Sequence, residues 1–144
     1  MLTEGCVVLV VCDWLVSQGW TIRSRCLGTS KGGDIVAVGR SQAVIRVECK
    51  GSLSPRTGIE FTSNDCWQRA SGAVFNCLRE SELQDGSDML AIAFPRTQHY
   101  QNLIEPLKDL LSRNHLAVIW VEPGGVVDVW SNDRIGCKLG ACTA

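Results

Sequence analysis

The sequence predicts one α/β domain, a mixed β-sheet with helices covering its faces. Three observations predict it. Helical and strand-like patterns follow one another as helix, three strands, helix, strand, helix, two strands, the alternation of a layered α/β fold. Of 144 residues, 45% are hydrophobic and 20% charged, near the average for a globular chain and long enough to bury roughly 70% of its unfolded surface. No repeat, linker or low-complexity segment interrupts the pattern. Residues 1–130 therefore read as a single domain, and 131–144, which lack periodicity, as a poorly ordered tail.

The first helix is expected over residues 3–18. Thr3 stands where an N-cap belongs and Gly19 where a helix stops. The β-branched run Val7–Val11 favours a strand, but the length of the segment and the spacing Val7, Val8, Val11, Leu15 favour a helix. Trp20–Cys26 reads as a strand, followed by the turn-rich stretch Gly28–Gly33. Asp34–Val38 and Ala43–Lys50 flank Gly39-Arg40-Ser41-Gln42, a loop of hairpin size. Residues 51–60 read as loop. Ser63 or Asn64 can cap a second helix to about Glu80, with Trp67, Ala70, Val74, Cys77 and Leu78 on its apolar face. Met89–Phe94 is a buried strand closed by Pro95. A third helix covers about 98–113, and Pro106 must kink or restart it. Leu116–Val121 and Val126–Trp130 form a last hairpin around Pro123-Gly124-Gly125.

Composition excludes several classes of function. The formal net charge is −1, so no bulk positive field points to a nucleic-acid or membrane partner. The charge is uneven, however. Residues 1–60 carry seven Lys and Arg against five Asp and Glu, and residues 61–144 carry seven against ten. The basic half is the place to look for an anion site. Eight cysteines occur without a single Cys-x-x-Cys pair, and the Cys137…Cys142 spacing is only a weak zinc signal. Several lie in apolar runs, where free Cys packs as a small hydrophobe. The valine run at 7–11 lacks a basic flank and is broken by Asp13, and no apolar stretch reaches transmembrane length. The expectation is a reduced, cytoplasmic protein without a membrane partner.

The chemistry concentrates in the hairpin at 34–50. Arg46, Glu48 and Lys50 alternate on one side of a strand whose other side is Ile45, Val47 and Cys49. With the loop centred near residue 41, antiparallel pairing sets Asp34 nearly opposite Glu48. Two carboxylates so placed repel unless a cation bridges them, and such hard oxygen ligands suit Mg²⁺. Arg46 and Lys50 add positive charge for a phosphate, and the glycines before Asp34 let backbone approach a ligand. Glu4 lies near the apolar face of the first helix, a position from which a carboxylate can be aimed into a site. A plainer arrangement uses the same residues, namely a solvated strand face with a Glu48–Lys50 or Asp34–Arg46 salt bridge.

Asp34, thirteen intervening residues, then Glu48-Cys49-Lys50, on a hairpin after a helix with an early Glu, resembles the PD-(D/E)XK nuclease superfamily. The pattern is similar to archaeal-type Holliday-junction resolvases and their restriction-endonuclease-like relatives. It comprises Glu4, Gly19-Trp20, Arg23 and Arg25, Ser30 with Gly32-Gly33, Asp34-Ile35-Val36-Ala37 and Glu48-Cys49-Lys50, covering roughly residues 3–50. Position 33 is Gly where the superfamily name has Pro. The resemblance implies a restriction-endonuclease-like fold and Mg²⁺-dependent hydrolysis of DNA phosphodiesters, with Mn²⁺ as a substitute. It implies metal ligands at Asp34, Glu48, the Cys49 carbonyl and Glu4, and a catalytic Lys50. A helix glutamine common in the superfamily corresponds to Gln68. Arg23, Arg25, Ser30, Lys31 and Arg46 are the implied contacts to DNA backbone. Symmetric cutting of two strands takes two sites, which a homodimer supplies, and Trp120 and Trp130 are candidates for its interface or for the core. The alternative is an inactive nucleic-acid-binding or interaction module on the same fold.

Overall fold

A computed structural model of the chain describes residues 1–27, 34–83 and 88–131. Its centre is a six-stranded mixed sheet whose strands lie side by side in sequence order. They are β1 (Thr21–Arg25), β2 (Ile35–Val38), β3 (Val44–Cys49), β4 (Met89–Pro95), β5 (Leu116–Glu122) and β6 (Gly125–Trp130). The first three form an antiparallel meander, β3, β4 and β5 run parallel, and β6 returns antiparallel. Parallel neighbours need crossovers. One is α2 (Ser63–Leu83); the other is α3 (Gln98–Ile104), a 3₁₀ turn and α4 (Lys108–Arg113). This is the predicted α/β domain, with a sheet and helix arrangement of restriction-endonuclease-like type.

α1 (Glu4–Ser17) covers the opposite face of the sheet. Thr3 caps it, its hydroxyl accepting the Cys6 N–H at 3.2 Å. At its far end Gly19 takes φ +90°. Gly19 N–H reaches the Val16 carbonyl and Trp20 N–H the Leu15 carbonyl, the paired bonds of a helix closed by a left-handed glycine. Helix wins over the β-branched propensity because Val7, Val8, Val11, Cys12 and Leu15 are buried along one stripe against the sheet. The period-two residues Ile35, Ala37, Ile45, Val47 and Cys49 meet that stripe.

On the other face, Leu90, Ile92, Phe94, Leu116, Val118 and Trp120 pack beneath α2, α3 and α4. The α2 contribution differs from the spacing-based expectation. The helix buries Cys66, Ala70, Ala73 and Cys77, whereas Trp67 and Leu78 are exposed. Small side chains let the helix lie close to a strand that already carries Ile92 and Phe94, so the stripe rotates toward them. Pro106 restarts the third helix as expected, through the 3₁₀ turn Glu105–Leu107. Trp120 is buried, its ring tilted against Phe94 at 5.9 Å and edge-on to Trp130 at 5.3 Å, so it serves the core. No helix among the described residues is long and apolar enough to cross a membrane. The tail expected at 131–144 lies, from residue 132 onward, outside the described residues.

Candidate functional site

The site is built where β2 begins and β3 ends, beside the first turn of α1 and the face of α2 that carries Arg69 and Cys77. The β2–β3 register pairs Ile35 with Val47 and Val38 with Val44. Continued by one residue, it sets Asp34 opposite Glu48, as the hairpin arithmetic predicts. Alternation puts Arg46, Glu48 and Lys50 on the α2 face and leaves Val47 and Cys49 in the α1 core. Asp34 is buried, and its Oδ2 accepts the Cys49 N–H at 2.7 Å. Lys50 Nζ lies 3.0 Å from Glu48 Oε1, with both side chains more than four-fifths buried. Glu4, from the first turn of α1, faces Arg69 of α2 at 3.7 Å. The Arg69 guanidinium also lies over the Phe61 ring, 3.9 Å from its centroid.

These groups share one electrostatic neighbourhood. Burial pushes the Asp34 carboxyl up from 3.8 to about 6, and the Glu48 and Glu4 charges add to the rise, against the pull of the Cys49 N–H and Lys50. Burial draws Lys50 downward, but its charge and hydrogen bond with Glu48, then Glu4 and Asp34, outweigh it, and the ammonium ends with a raised pKa. The cluster is therefore rich in negative charge, with one protonated lysine among three carboxylates.

A clamp at the exit of β3 sets the position of Glu4. Ser52 Oγ accepts the Leu2 N–H at 2.9 Å, and Ser52 N–H reaches the Leu2 carbonyl at 2.7 Å. Gly51 packs so tightly on the Thr3–Glu4 backbone that a Cβ there would collide with the Glu4 nitrogen. The buried Tyr100 hydroxyl donates to the Gly51 carbonyl at 2.7 Å. Burial pushes its pKa up, so it stays a donor at any ordinary pH.

Asp34, Glu48, Lys50 and Glu4 thus come together, with the Cys49 backbone between them. The other expected residues divide differently. Arg46 is tied to Asp88, Nε to Oδ2 at 2.9 Å, which braces the start of β4 and takes Arg46 out of the open cation set; the Asp34–Arg46 bridge does not form. Arg25 lies against Cys12 on the α1 side, and Arg23 sits exposed where the β1–β2 register shifts. Ser30 and Lys31 lie outside the described residues. Gln68 is exposed on α2, away from the stripe that meets the sheet. The α2 residue beside Glu4 is Arg69, which sequence reading missed. No local signal marks it, because which α2 residue stands beside Glu4 depends on how the helix docks.

The donor set matches a hard divalent cation. Magnesium is usually held by one or two carboxylates plus water and phosphate rather than by an all-protein cage. Asp34 and Glu48 are such a pair, and the raised Asp34 carboxyl marks negative charge that a cation would relieve. Among the described residues no three His, Cys, Asp or Glu side chains converge into a ready-made metal cage.

Two solved structures share the fold. An XisH family protein from Nostoc punctiforme PCC 73102 superposes with a TM-score of 0.59 at 20% identity, covering 88% of this chain and 99% of that one. An fdxN element excision controlling factor protein from Anabaena variabilis gives a TM-score of 0.57 at 19% identity, covering 88% and 98%. No family model and no curated protein matches the chain.

Proposed function

We propose that this chain is a metal-dependent nuclease that hydrolyses phosphodiester bonds in DNA. The observation that carries the reading is the adjacency of Asp34 and Glu48 on neighbouring strands, with Lys50 two residues on, in a largely buried cluster of excess negative charge. Asp34, Glu48 and the Cys49 carbonyl would hold Mg²⁺ or Mn²⁺, with Glu4 completing the set directly or through water. A bound cation supplies a polarised phosphate and a water of lowered pKa. Lys50, held protonated by its three carboxylates, acts through its charge. It orients the attacking water and offsets the charge that develops on phosphate. Arg23, Arg25 and Lys31 contribute backbone contacts that position DNA without reading its sequence. Arg69 adds a cation at the mouth of the site.

A second reading has its own support. Every charged group of the site already has an internal partner, Asp34 the Cys49 N–H, Glu48 Lys50, and Glu4 Arg69. One structural neighbour is described as a factor controlling the excision of an element. On this reading the domain serves a DNA rearrangement as an interaction module without cutting. The deciding experiment is incubation with duplex, single-stranded, flapped and four-way DNA, with Mg²⁺ and with EDTA. The nuclease reading expects Mg²⁺-dependent products that Glu48→Ala and Lys50→Ala each reduce at least 100-fold while the fold is kept. No cleavage of any substrate, or cleavage that both variants retain, rejects it.

A further inference from the structure

Residues 52–61 form a short antiparallel ribbon whose two ends are fastened to the carboxylate site. Ser52 is bonded to Leu2, two residues before Glu4. Phe61 N–H reaches the Ser52 carbonyl at 2.9 Å, and the Phe61 ring carries the Arg69 guanidinium that pairs with Glu4. Between these ends Leu53 pairs with Glu60, and Ser54 N–H reaches the Ile59 carbonyl at 2.9 Å. Gly58, at φ +69°, turns the tip, its N–H on the Ser54 carbonyl at 2.8 Å. The ribbon is held in one shape and starts two residues after Lys50.

The tip of the ribbon does nothing for the domain that carries it. Residues 55–60 are exposed, and a Cβ added at Gly58 would meet nothing within 4 Å. Arg46, Lys50 and Arg69 are each held by a carboxylate, whereas among the described residues Arg56 is in no ion pair. Ile59 is 68% exposed. A lone surface isoleucine needs no explanation. Beside an unpaired guanidinium, on a hydrogen-bonded ribbon rooted in a candidate active site, it is half of a recognition surface. The acidic residue of the ribbon, Glu60, stays at its base opposite Leu53.

A duplex carries one negative charge per ~1.7 Å of its axis, and three carboxylates repel it, so its attraction must come from the flanks of the site. A two-stranded ribbon fits the major groove, ~12 Å wide, and is too broad for the minor groove, ~6 Å wide. We propose that the ribbon of residues 52–61 enters the major groove of duplex DNA beside the scissile phosphate and reads base edges there. Duplex DNA of a preferred sequence is then the substrate class of the site. Arg56 supplies the planar fork that pairs with O6 and N7 of guanine, and Ile59 the apolar surface that meets a thymine methyl. The Thr57 hydroxyl is spent on the Ile59 N–H at 3.2 Å, so base reading falls to those two side chains. The inference rests on the reading of the carboxylate site as a DNA nuclease.

The test selects bound sequences from a duplex pool randomised at its centre, with Ca²⁺ in place of Mg²⁺ so that bound DNA stays whole. The unmodified protein should enrich sequences with a fixed guanine, and 7-deazaguanine at that position should weaken binding about tenfold or more. Arg56→Lys keeps the charge and loses the fork, so it should bind the starting pool as the parent does while enriching no guanine. Ile59→Ser should lose the accompanying thymine, and both variants should melt with the parent. Enrichment of no sequence, or of the same sequences by Arg56→Lys, overturns the inference. Its failure is distinct from that of the nuclease reading. Cleavage in Mg²⁺ without a preference that depends on Arg56 keeps the nuclease and removes the ribbon. A preference that depends on Arg56, with no cleavage of the enriched duplex, keeps the ribbon and removes the nuclease.

Discussion

Asp34 is a carboxylate whose proton is held more tightly in the folded protein than in the unfolded chain, about 6 against an ordinary 3.8, because burial and then Glu48 and Glu4 oppose its charge. The sign is opposite to that of a salt-bridged aspartate. Its contribution to stability is fully present below about pH 4 and is lost as pH rises through 6. Asp34→Asn keeps an acceptor for the Cys49 N–H and removes the charge. The variant should be more stable than the parent at pH 8, by on the order of 3 kcal/mol, and no more stable at pH 4. Urea unfolding at the two pH values checks this, and a variant less stable at pH 8 would mean that the hydrogen bond outweighs the charge. Cys49→Ala tests the opposite face of the same strand. The thiol is fully buried in the α1 core, so its loss should cost roughly 1–2 kcal/mol and leave any cleavage intact. Asp34, Glu48 and Lys50 were legible in the sequence because strand alternation and hairpin register are local rules. Arg69 was not, since its place beside Glu4 depends on how α2 docks, which no local rule states.

At the scale of elements, the link between α1 and β3 carries the greatest consequence. Gly51 leaves no room for a side chain, with the Thr3 carbonyl carbon 2.8 Å from where a Cβ would stand. The close docking of the α1 N-terminus on Gly51, just after β3, brings Glu4 within electrostatic reach of Lys50 and Asp34. Gly51→Ala must push the two elements apart, and overpacking of this kind costs typically 1–3 kcal/mol. Tyr100→Phe keeps the ring packed on Phe94 at 4.9 Å but leaves the Gly51 carbonyl unpaired, at about 1–3 kcal/mol. Both should appear as lowered urea midpoints, with Gly51→Ala also perturbing the amide signals of residues 3–6. Unchanged midpoints would show the clamp to be unimportant. Most elements were readable, from the Thr3 cap to the hairpin around Pro123-Gly124, because caps, prolines and alternation act over a few residues. The α2 stripe was not. Hydrophobicity ranks Trp67 and Leu78 above Cys66 and Ala73, but close packing on Ile92 and Phe94 selects the small residues.

For the whole molecule, the two functional readings differ in how cations couple to folding. Among the described residues no disulfide joins Cys6, Cys12, Cys26, Cys49, Cys66 and Cys77 to one another, so stability there rests on the two cores and their bridging sheet. Anything that binds only the folded state must then raise the unfolding temperature. If Asp34 and Glu48 hold Mg²⁺, a concentration 100-fold above its dissociation constant adds about 2.7 kcal/mol, which for a domain of this size is roughly 8 °C. The gain should shrink at pH 5, where protonation of Asp34 competes with the cation, and should vanish in Glu48→Ala. A site neutralised by its own Lys50 and Arg69 predicts no shift at either pH. Calorimetry with Mg²⁺, with Ca²⁺ and with EDTA separates the two before any DNA is added. A flat response at pH 8 would remove the cation site from which the nuclease reading starts, while leaving the fold as it stands.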